Sequence, residues 1–313
     1  ARRGHGRRRS ADGGAIRPTS RHTWGMDRLR RTWALAGSSW RVLREDKELL
    51  LLPVVSGIAA VLCVAPFLAG SLVLGVAGAS ASEPTFAPGV AGWVLAAVGY
   101  LVGAYVTIFF QAALIHAANE RLAGGDPTLG SAIAGAASRA GQILPWALVS
   151  ATVSIVLRSI QERSGLVGRL MTGLAGTAWT LVTFLVLPLV VIEGIGVREA
   201  MRRGGAAFRA TWGEHVAGHA GIGLVTGLAG LVGALACLPL ILLGAASGSA
   251  VAVVSGVVLL VGWMLVVGVV GAALSGVYQT ALYRYAVLGE EPRGFSSAEI
   301  DAAFGPRQHP LGR

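Results

Sequence analysis

The sequence predicts an all-α integral membrane protein with six transmembrane helices. Hydrophobic residues make up 54% of the 313-residue chain, charged residues only 13%, and the mean hydropathy is +0.65. Soluble domains, by comparison, are about 25% charged. Lys, Arg, Asp and Glu are also absent from long intervals, and a spanning helix needs about 20 predominantly apolar residues. These intervals are residues 49–82, 84–119, 140–157, 170–192 and 215–283.

Each of the first four intervals accommodates one span, and the last accommodates two, divided by the small-residue turn at 244–250. The third is short unless Arg158 extends its charged end to the interface. The predicted spans cover about residues 50–77, 91–116, 142–160, 168–192, 216–243 and 250–283. They form a membrane domain over residues 26–290, between a disordered basic tail at 1–25 and a cytoplasmic C-terminal tail at 291–313.

The positive charges indicate the orientation of these spans. Of the 26 Lys and Arg residues, 23 lie on the side that holds both termini, and cytoplasmic segments carry such an excess. We therefore expect a bacterial inner-membrane protein with both termini in the cytoplasm and its basic residues near anionic lipid headgroups. Nucleic acid is the rival partner for the basic tail, but no aromatic residue precedes Trp24, so we do not expect it.

A repeated unit, an interfacial helix followed by a two-span hairpin, accounts for the order of the chain. Apolar residues recur at helical spacing before the first span, at Leu29, Trp33, Ala36, Trp40 and Leu43, as in helices that lie in the interface plane. Similar segments precede the third and fifth spans, and QAAL at 111–114 corresponds to QTAL at 279–282. We predict three parallel repeats, at about 28–122, 128–193 and 196–290. Chance similarity between small apolar residues is the alternative.

Polar side chains near the ends of the spans are the candidate functional or structural residues, because ionisable groups in membrane segments often mark function. They are Gln111, His116, Asn119, Glu120, Glu193, Gln279 and Arg284. All lie in the last turns before the cytoplasm. Gln111 and Gln279 are the deepest, and are expected to form either hydrogen bonds between helices or a solute site.

Glu193 is the acid with the clearest predicted partner. It is close in sequence to Arg198, Arg202 and Arg203. An ion pair with one of them would attach the interfacial helix of the third unit to the fourth span.

His215 and His219 are four residues apart beside Glu214, and they would form a zinc site if His116 and Glu193 supplied further ligands. The HExxH order is absent, and polar residues at the wet end of a span are the favoured interpretation. We expect no metal and no cofactor. The sequence also lacks GxSxG, CxxC and a lysine-bearing phosphate loop, so we expect no enzyme.

Four segments carry a resemblance to a known family. They are SSWRVLREDKELLLLPVVSG, FFQAALIHAANERLAGGDPTL, FLVLPLVVIEGIGVREAMRRGGAAFRATWGEH and GVYQTALYRYAVLGEEPRGF. Over about residues 26–305 the chain resembles a family of uncharacterised six-span membrane proteins of high-GC bacteria, defined only as a domain of unknown function. The third segment is distantly similar to the membrane domain attached to glycerophosphodiester phosphodiesterases, at Pro188, Glu193, Glu199, Ala200, Arg202 and Arg203. The resemblance implies a topology and no activity.

Two functions remain after these exclusions. A non-enzymatic membrane module that organises lipid or holds a partner protein is favoured by the Arg- and Trp-bearing interfacial helices. A small-solute permease or channel is the alternative, favoured by Gly-rich, Pro-bent spans. A vestibule lined by Gln111, Gln279 and Glu193 would favour the permease, and a closed centre would favour the module. A membrane-protein partner or a homo-oligomer is compatible with either.

Overall fold

The computed structural model describes residues 48–77, 89–210 and 212–290. Every regular element in these ranges is helical, and no strand occurs in them. In chain order the elements are α1 (Glu48–Ala77), α2 (Gly89–Leu122), α3 (Leu129–Ala137), α4 (Ala140–Arg163), α5 (Leu166–Thr183), α6 (Val186–Pro188), a π-helical turn (Leu189–Glu193), α7 (Val197–Ala210), α8 (Trp212–Ala246), α9 (Ala250–Tyr283) and a second π-helical turn (Arg284–Leu288). The predicted all-α class is confirmed for this part of the chain.

Five of these helices are long and apolar enough to cross a membrane. They are α1, α2, α4, α9 and, within α8, the segment Gly223–Ala246. They coincide with predicted spans one, two, three, six and five. By the length and composition of its helices, the chain is a multi-pass membrane protein.

The fourth predicted span differs from the sequence prediction. Helix α5 ends at Thr183, and a turn at residues 184–185 separates it from α6 and the π-helical turn that follows. Pro188 explains the break, because it has no N–H to donate to the carbonyl of Phe184 four residues earlier. Two helical pieces therefore replace the continuous helix expected over 168–192, and a sixth span stays a prediction.

The buried core lies at one end of the bundle, which we call the polar end: the end where α1 begins and where α2, the Leu189–Glu193 turn and α9 end. Fully buried side chains there include Leu49, Leu52, Ile115, Val186, Leu189, Tyr278 and Tyr283. Large apolar side chains near the opposite end, such as Val73, Val94 and Leu243, are exposed. Apolar surface of this kind is suited to contact with lipid.

Close helix pairs form the first and third predicted hairpins. In the first, a Cβ added at Gly99 of α2 would lie 2.7 Å from the Cβ of Phe67 in α1, so only glycine permits this approach. In the third, the indole nitrogen of Trp263 in α9 donates to the carbonyl of Ala229 in α8 at 2.9 Å. The interfacial helix predicted at 29–43 lies outside the described residues. The interfacial helices predicted for the second and third units correspond to α3 and α7. The threefold repeat itself stays a prediction.

Candidate functional site at the polar end

Glu193 joins two helices at the centre of the polar end. It is the last residue of the π-helical turn, which stops because Gly194 adopts a φ of +69°, a conformation that glycine adopts without strain. The Glu193 carboxylate accepts a hydrogen bond from the Tyr283 hydroxyl at 2.8 Å and pairs with Nη1 of Arg203 at 2.9 Å. The ion pair considered from the sequence is present, with Arg203 as the cation.

Glu199 extends this pair along α7. Nη2 of Arg202 lies 2.7 Å from the Glu199 carboxylate, and Nε of Arg203 lies at the same distance. The hydrogen bond from Arg202 and then that from Arg203 lower the pKa of Glu199 to about 2. Arg203 therefore connects Glu193 of the π-helical turn to Glu199 of α7, and helps to hold α7 in place.

Lowering the pH is expected to weaken the attachment of α7 to the π-helical turn, over the pH range in which Glu199 becomes protonated. Its pKa is lowered from 4.5 to about 2, so its contribution to stability is complete above about pH 4.5 and is lost as the pH falls through about 2. The loss should be small, because the pair is solvent-exposed. Thermal midpoints of the wild type and of Glu199→Gln, followed down this range, check it. A difference between the two proteins that stayed constant with pH would contradict it.

Gln279 donates a hydrogen bond to the carbonyl of Phe184, to which Pro188 cannot donate because it has no N–H. The residue is only 4% exposed, and its Nε2 donates to the backbone oxygen of Phe184. A buried polar group without a partner costs about 1–3 kcal/mol, so this bond stabilises the break. Of the two roles considered for Gln279, the structure places it in a hydrogen bond between helices.

Arg284 joins the end of α9 to α2. Its Nη1 donates to the side-chain oxygen of Asn119 at 2.8 Å, and its Nη2 pairs with the carboxylate of Glu290. The π-helical turn that begins at Arg284 ends at Gly289, which has a φ of +69°. The part-buried arginine is thus paired through its two terminal nitrogens, whereas no partner for its buried Nε is found among the described residues.

Carboxylates from two neighbouring helices support the start of α3. The Thr128 hydroxyl accepts from the N–H of Ser131, and the Ser131 hydroxyl in turn lies 3.4 Å from a Glu120 carboxylate oxygen. The carboxylate of Glu48, at the start of α1, accepts the N–H of Leu129. Because negative charge is favourable at a helix N-terminus, Glu48 stabilises the starts of α1 and α3 together.

The histidine candidates are not brought together in the described residues. The imidazole of His116 lies against α3, where a Cβ added at Gly135 would be 2.4 Å from Nε2. The side chains of His215 and His219 lie outside the described residues. Within the described ranges, no group of three or more His, Cys, Asp or Glu side chains is placed to hold a metal ion.

Gln111 lies apart from the other candidates. It is exposed and lines a cleft between α1, α2 and α9, whereas Gln279 is buried against Phe184. The two glutamines that match in sequence therefore have different surroundings. Among the described residues, the lining of this cleft includes neither Gln279 nor Glu193.

Tyr283 and the Phe184 carbonyl are the parts of this network that sequence reasoning missed. Pro188 was the available signal, because a proline leaves the carbonyl four residues before it without a helical donor. Tyr283 follows Gln279 by four residues and so shares its helical face. Gln279 contacts Phe184 at the break, and Tyr283 contacts Glu193 at the end of the π-helical turn.

Comparison with known proteins identifies a family for most of the chain. Residues 90–294 match the model of a protein family described as a family of unknown function. No significant match was found among the curated proteins or the solved structures. The matched region runs from the start of α2 to just past the second π-helical turn, and so contains most of the polar network.

Proposed function

We propose that this chain, which belongs to DUF6159, a family of unknown function, is a non-enzymatic membrane module that holds anionic lipids at its polar end. The family gives no activity, so the proposal is argued from the residues of the chain itself. The resemblance to a domain of unknown function is confirmed by the family match. The five apolar helices support this proposal, because helices of this length and composition are suited to a membrane and so to contact with its lipids.

The observation that supports this function best is the set of arginine side chains that α7 holds exposed. Arg198 is exposed, and the side chain of Arg202 is 77% exposed. On the other face of α7, Ala200 and Gly204 are buried, and a Cβ added at Gly204 would be in ordinary van der Waals contact with the core. A helix with one packed face and one cationic face is suited to the membrane interface. Each arginine near an anionic surface contributes about 1 kcal/mol of attraction.

The positions of the deep polar groups favour a module over a permease. Gln279 is bonded to Phe184, Glu193 is bonded to Tyr283 and Arg203, and Gln111 lies in a separate cleft. A permease built on these groups would need them free to meet a solute. The engagement of Gln279 and Glu193 supports a closed polar end.

The topology belongs to the same proposal. In it, α5 and the Leu189–Glu193 turn together form the sixth membrane crossing, and the arginine-rich end faces the cytoplasm of a bacterial cell. Anionic phospholipids of the inner leaflet are then the partners of α7. A second copy of this chain or another membrane protein is compatible with this arrangement, and nucleic acid is not a partner.

Lipid-dependent thermal stability tests the proposed function. We expect phosphatidylglycerol to raise the thermal midpoint of the purified protein in detergent more than phosphatidylcholine does. The double variant Arg198→Gln/Arg202→Gln should lose about 2 kcal/mol of that preference, about a 30-fold weaker apparent affinity for phosphatidylglycerol. Titration of the midpoint with each lipid measures it.

The matched control changes two arginines at the other end of the bundle. Arg158 and Arg163 of α4 are exposed, and Arg158→Gln/Arg163→Gln should retain the preference for phosphatidylglycerol. Equal stabilisation by the two lipids, or equal effects of the two double variants, would contradict the proposed lipid site. Solute flux into vesicles that depended on the protein would support the permease instead.

A further inference from the structure

The cleft that contains Gln111 is formed by three spanning helices within the apolar part of the bundle. It has a volume of about 500 Å³ and lies between α1, α2 and α9, and small-molecule sites fall between about 300 and 1,000 Å³. Gln111 precedes Asn119 of the polar end by eight residues, which is about 12 Å along the helix. No described residue of α7 lines the cleft, which is therefore separate from the arginine face of that helix.

Three polar side chains of this cleft have hydrogen-bonding capacity to spare. Among the described residues, no partner is found for the side chains of Gln111, Ser56 or Ser275, all of which line it. Thr107, which also lines it, donates to the carbonyl of Gly103 at 2.8 Å. Hydrocarbon supplies no hydrogen bonds, and an unpaired amide there is costly. The cleft is therefore suited to a ligand that brings polar atoms with it.

The charge of the lining restricts the class of that ligand. Every residue that lines the cleft is uncharged. A phosphate or carboxylate would lose its hydration there without gaining a counter-charge, which is strongly unfavourable. A neutral head group with carbonyl or hydroxyl oxygens meets no such penalty.

Access to the cleft is from the side, through the bilayer. Leu265 of α9 lines it and is 64% exposed, and the neighbouring Met264 is also exposed. Toward the polar end, α9 packs tightly on α2, because a Cβ added at Gly276 would lie 2.4 Å from Leu114. A molecule that already resides in the membrane can therefore enter more readily than a solute from the cytoplasm.

We propose that this cleft binds a neutral glycerolipid of the diacylglycerol type. The amide of Gln111 both donates and accepts, which matches the ester carbonyls and the free hydroxyl of such a lipid. The serine hydroxyls of Ser56 and Ser275 supply further donors. An acyl chain fills the apolar remainder of the cleft. This site goes beyond the proposed binding of anionic headgroups, since it differs in both position and ligand charge.

Photolabelling in nanodiscs tests the neutral-lipid site. The probe is a diacylglycerol that carries a diazirine on one acyl chain, and labelled peptides are mapped by mass spectrometry. We expect labels on the cleft faces of α1, α2 and α9. Unlabelled diacylglycerol should displace the probe, and phosphatidylglycerol should not. Equal displacement by the two lipids would overturn the proposal.

Glycine variants supply a matched comparison of cleft and control positions. Gly57 and Gly268 line the cleft, Gly262 of α9 does not, and a Cβ added at any of the three meets no atom within 4 Å. Gly57→Leu and Gly268→Leu should abolish labelling, and Gly262→Leu should leave it unchanged. Loss of labelling in all three, or in none, would overturn the proposal.

Gln111→Leu tests the polar contact without adding bulk, and decides the matter if a glycine variant fails to fold. Loss of this hydrogen bond should lower labelling about tenfold and leave the thermal midpoint unchanged. Full labelling of this variant would overturn the proposal. The Arg198→Gln/Arg202→Gln variant should still be labelled, so failure of the neutral-lipid site is distinguishable from failure of the anionic one.

Discussion

Glu193→Ala is expected to lower the thermal midpoint of the purified protein in detergent by the largest amount of any single change at the polar end. The Glu193 side chain is 23% exposed and holds both the Tyr283 hydroxyl and the Arg203 guanidinium. Its removal leaves the Tyr283 hydroxyl without its acceptor and leaves Arg203 with Glu199 as its remaining carboxylate partner, which together cost about 2–3 kcal/mol of unfolding free energy. Thermal or chemical unfolding, followed by helical signal or by aggregation, measures the loss.

Two further variants separate this effect from a general loss of charge. Glu162 pairs with Arg158 on the exposed far end of α4, and Glu162→Ala should cost less than about 0.5 kcal/mol. Tyr283→Phe removes only the hydroxyl, and its effect should largely vanish when Glu193 is already alanine, because both changes remove the same bond. An unchanged midpoint for Glu193→Ala would count against the role of Glu193.

Gln279→Leu is expected to be the second large destabilisation. The leucine cannot donate to Phe184, so the part-buried hydrogen bond between α9 and the break after α5 is lost. This should cost about 1–3 kcal/mol. Gln111→Leu is the control of the same residue type, and it should cost much less because Gln111 is exposed in the cleft.

The variant Pro188→Ala tests whether Gln279 acts by replacing the N–H that Pro188 lacks. Alanine at 188 restores the N–H that pairs with a carbonyl four residues earlier in a helix. Gln279→Leu should therefore cost less in the Pro188→Ala background than in the wild type. Equal costs in the two backgrounds would contradict a role for Gln279 as the replacement donor of Phe184. A double-mutant cycle on unfolding free energies measures this coupling.

Sequence pattern predicted the elements that depend on local composition. Charge-free intervals predicted α1, α2, α4, α8 and α9 because a spanning helix needs little beyond length and apolarity. The Arg-rich segment after Glu193 predicted α7 for a similar reason. The pairing of Glu193 with Arg203 was also within reach, since the two residues are only ten apart in sequence.

Contacts between distant segments were not predictable in the same way. Gln279 and Phe184 are 95 residues apart, and Glu48 and Leu129 are 81 apart. Their pairing depends on how helices cross at the polar end. The same packing gives Gln111 and Gln279 different surroundings despite their matching motifs. Helical periodicity carries no information on which of two similar faces is buried.

The one-sided core has a consequence for the bilayers in which this chain can reside. Helices α1, α2 and α9 have 30, 34 and 34 residues, or about 45–50 Å, which exceeds a hydrocarbon thickness of about 30 Å. Such helices accommodate the excess length by tilting. Because their buried contacts and ion pairs concentrate at one end, the tilt can change at the other without breaking them. We therefore expect the fold to tolerate thin and thick membranes alike. The distance between the helix ends opposite the polar end should then change with membrane thickness.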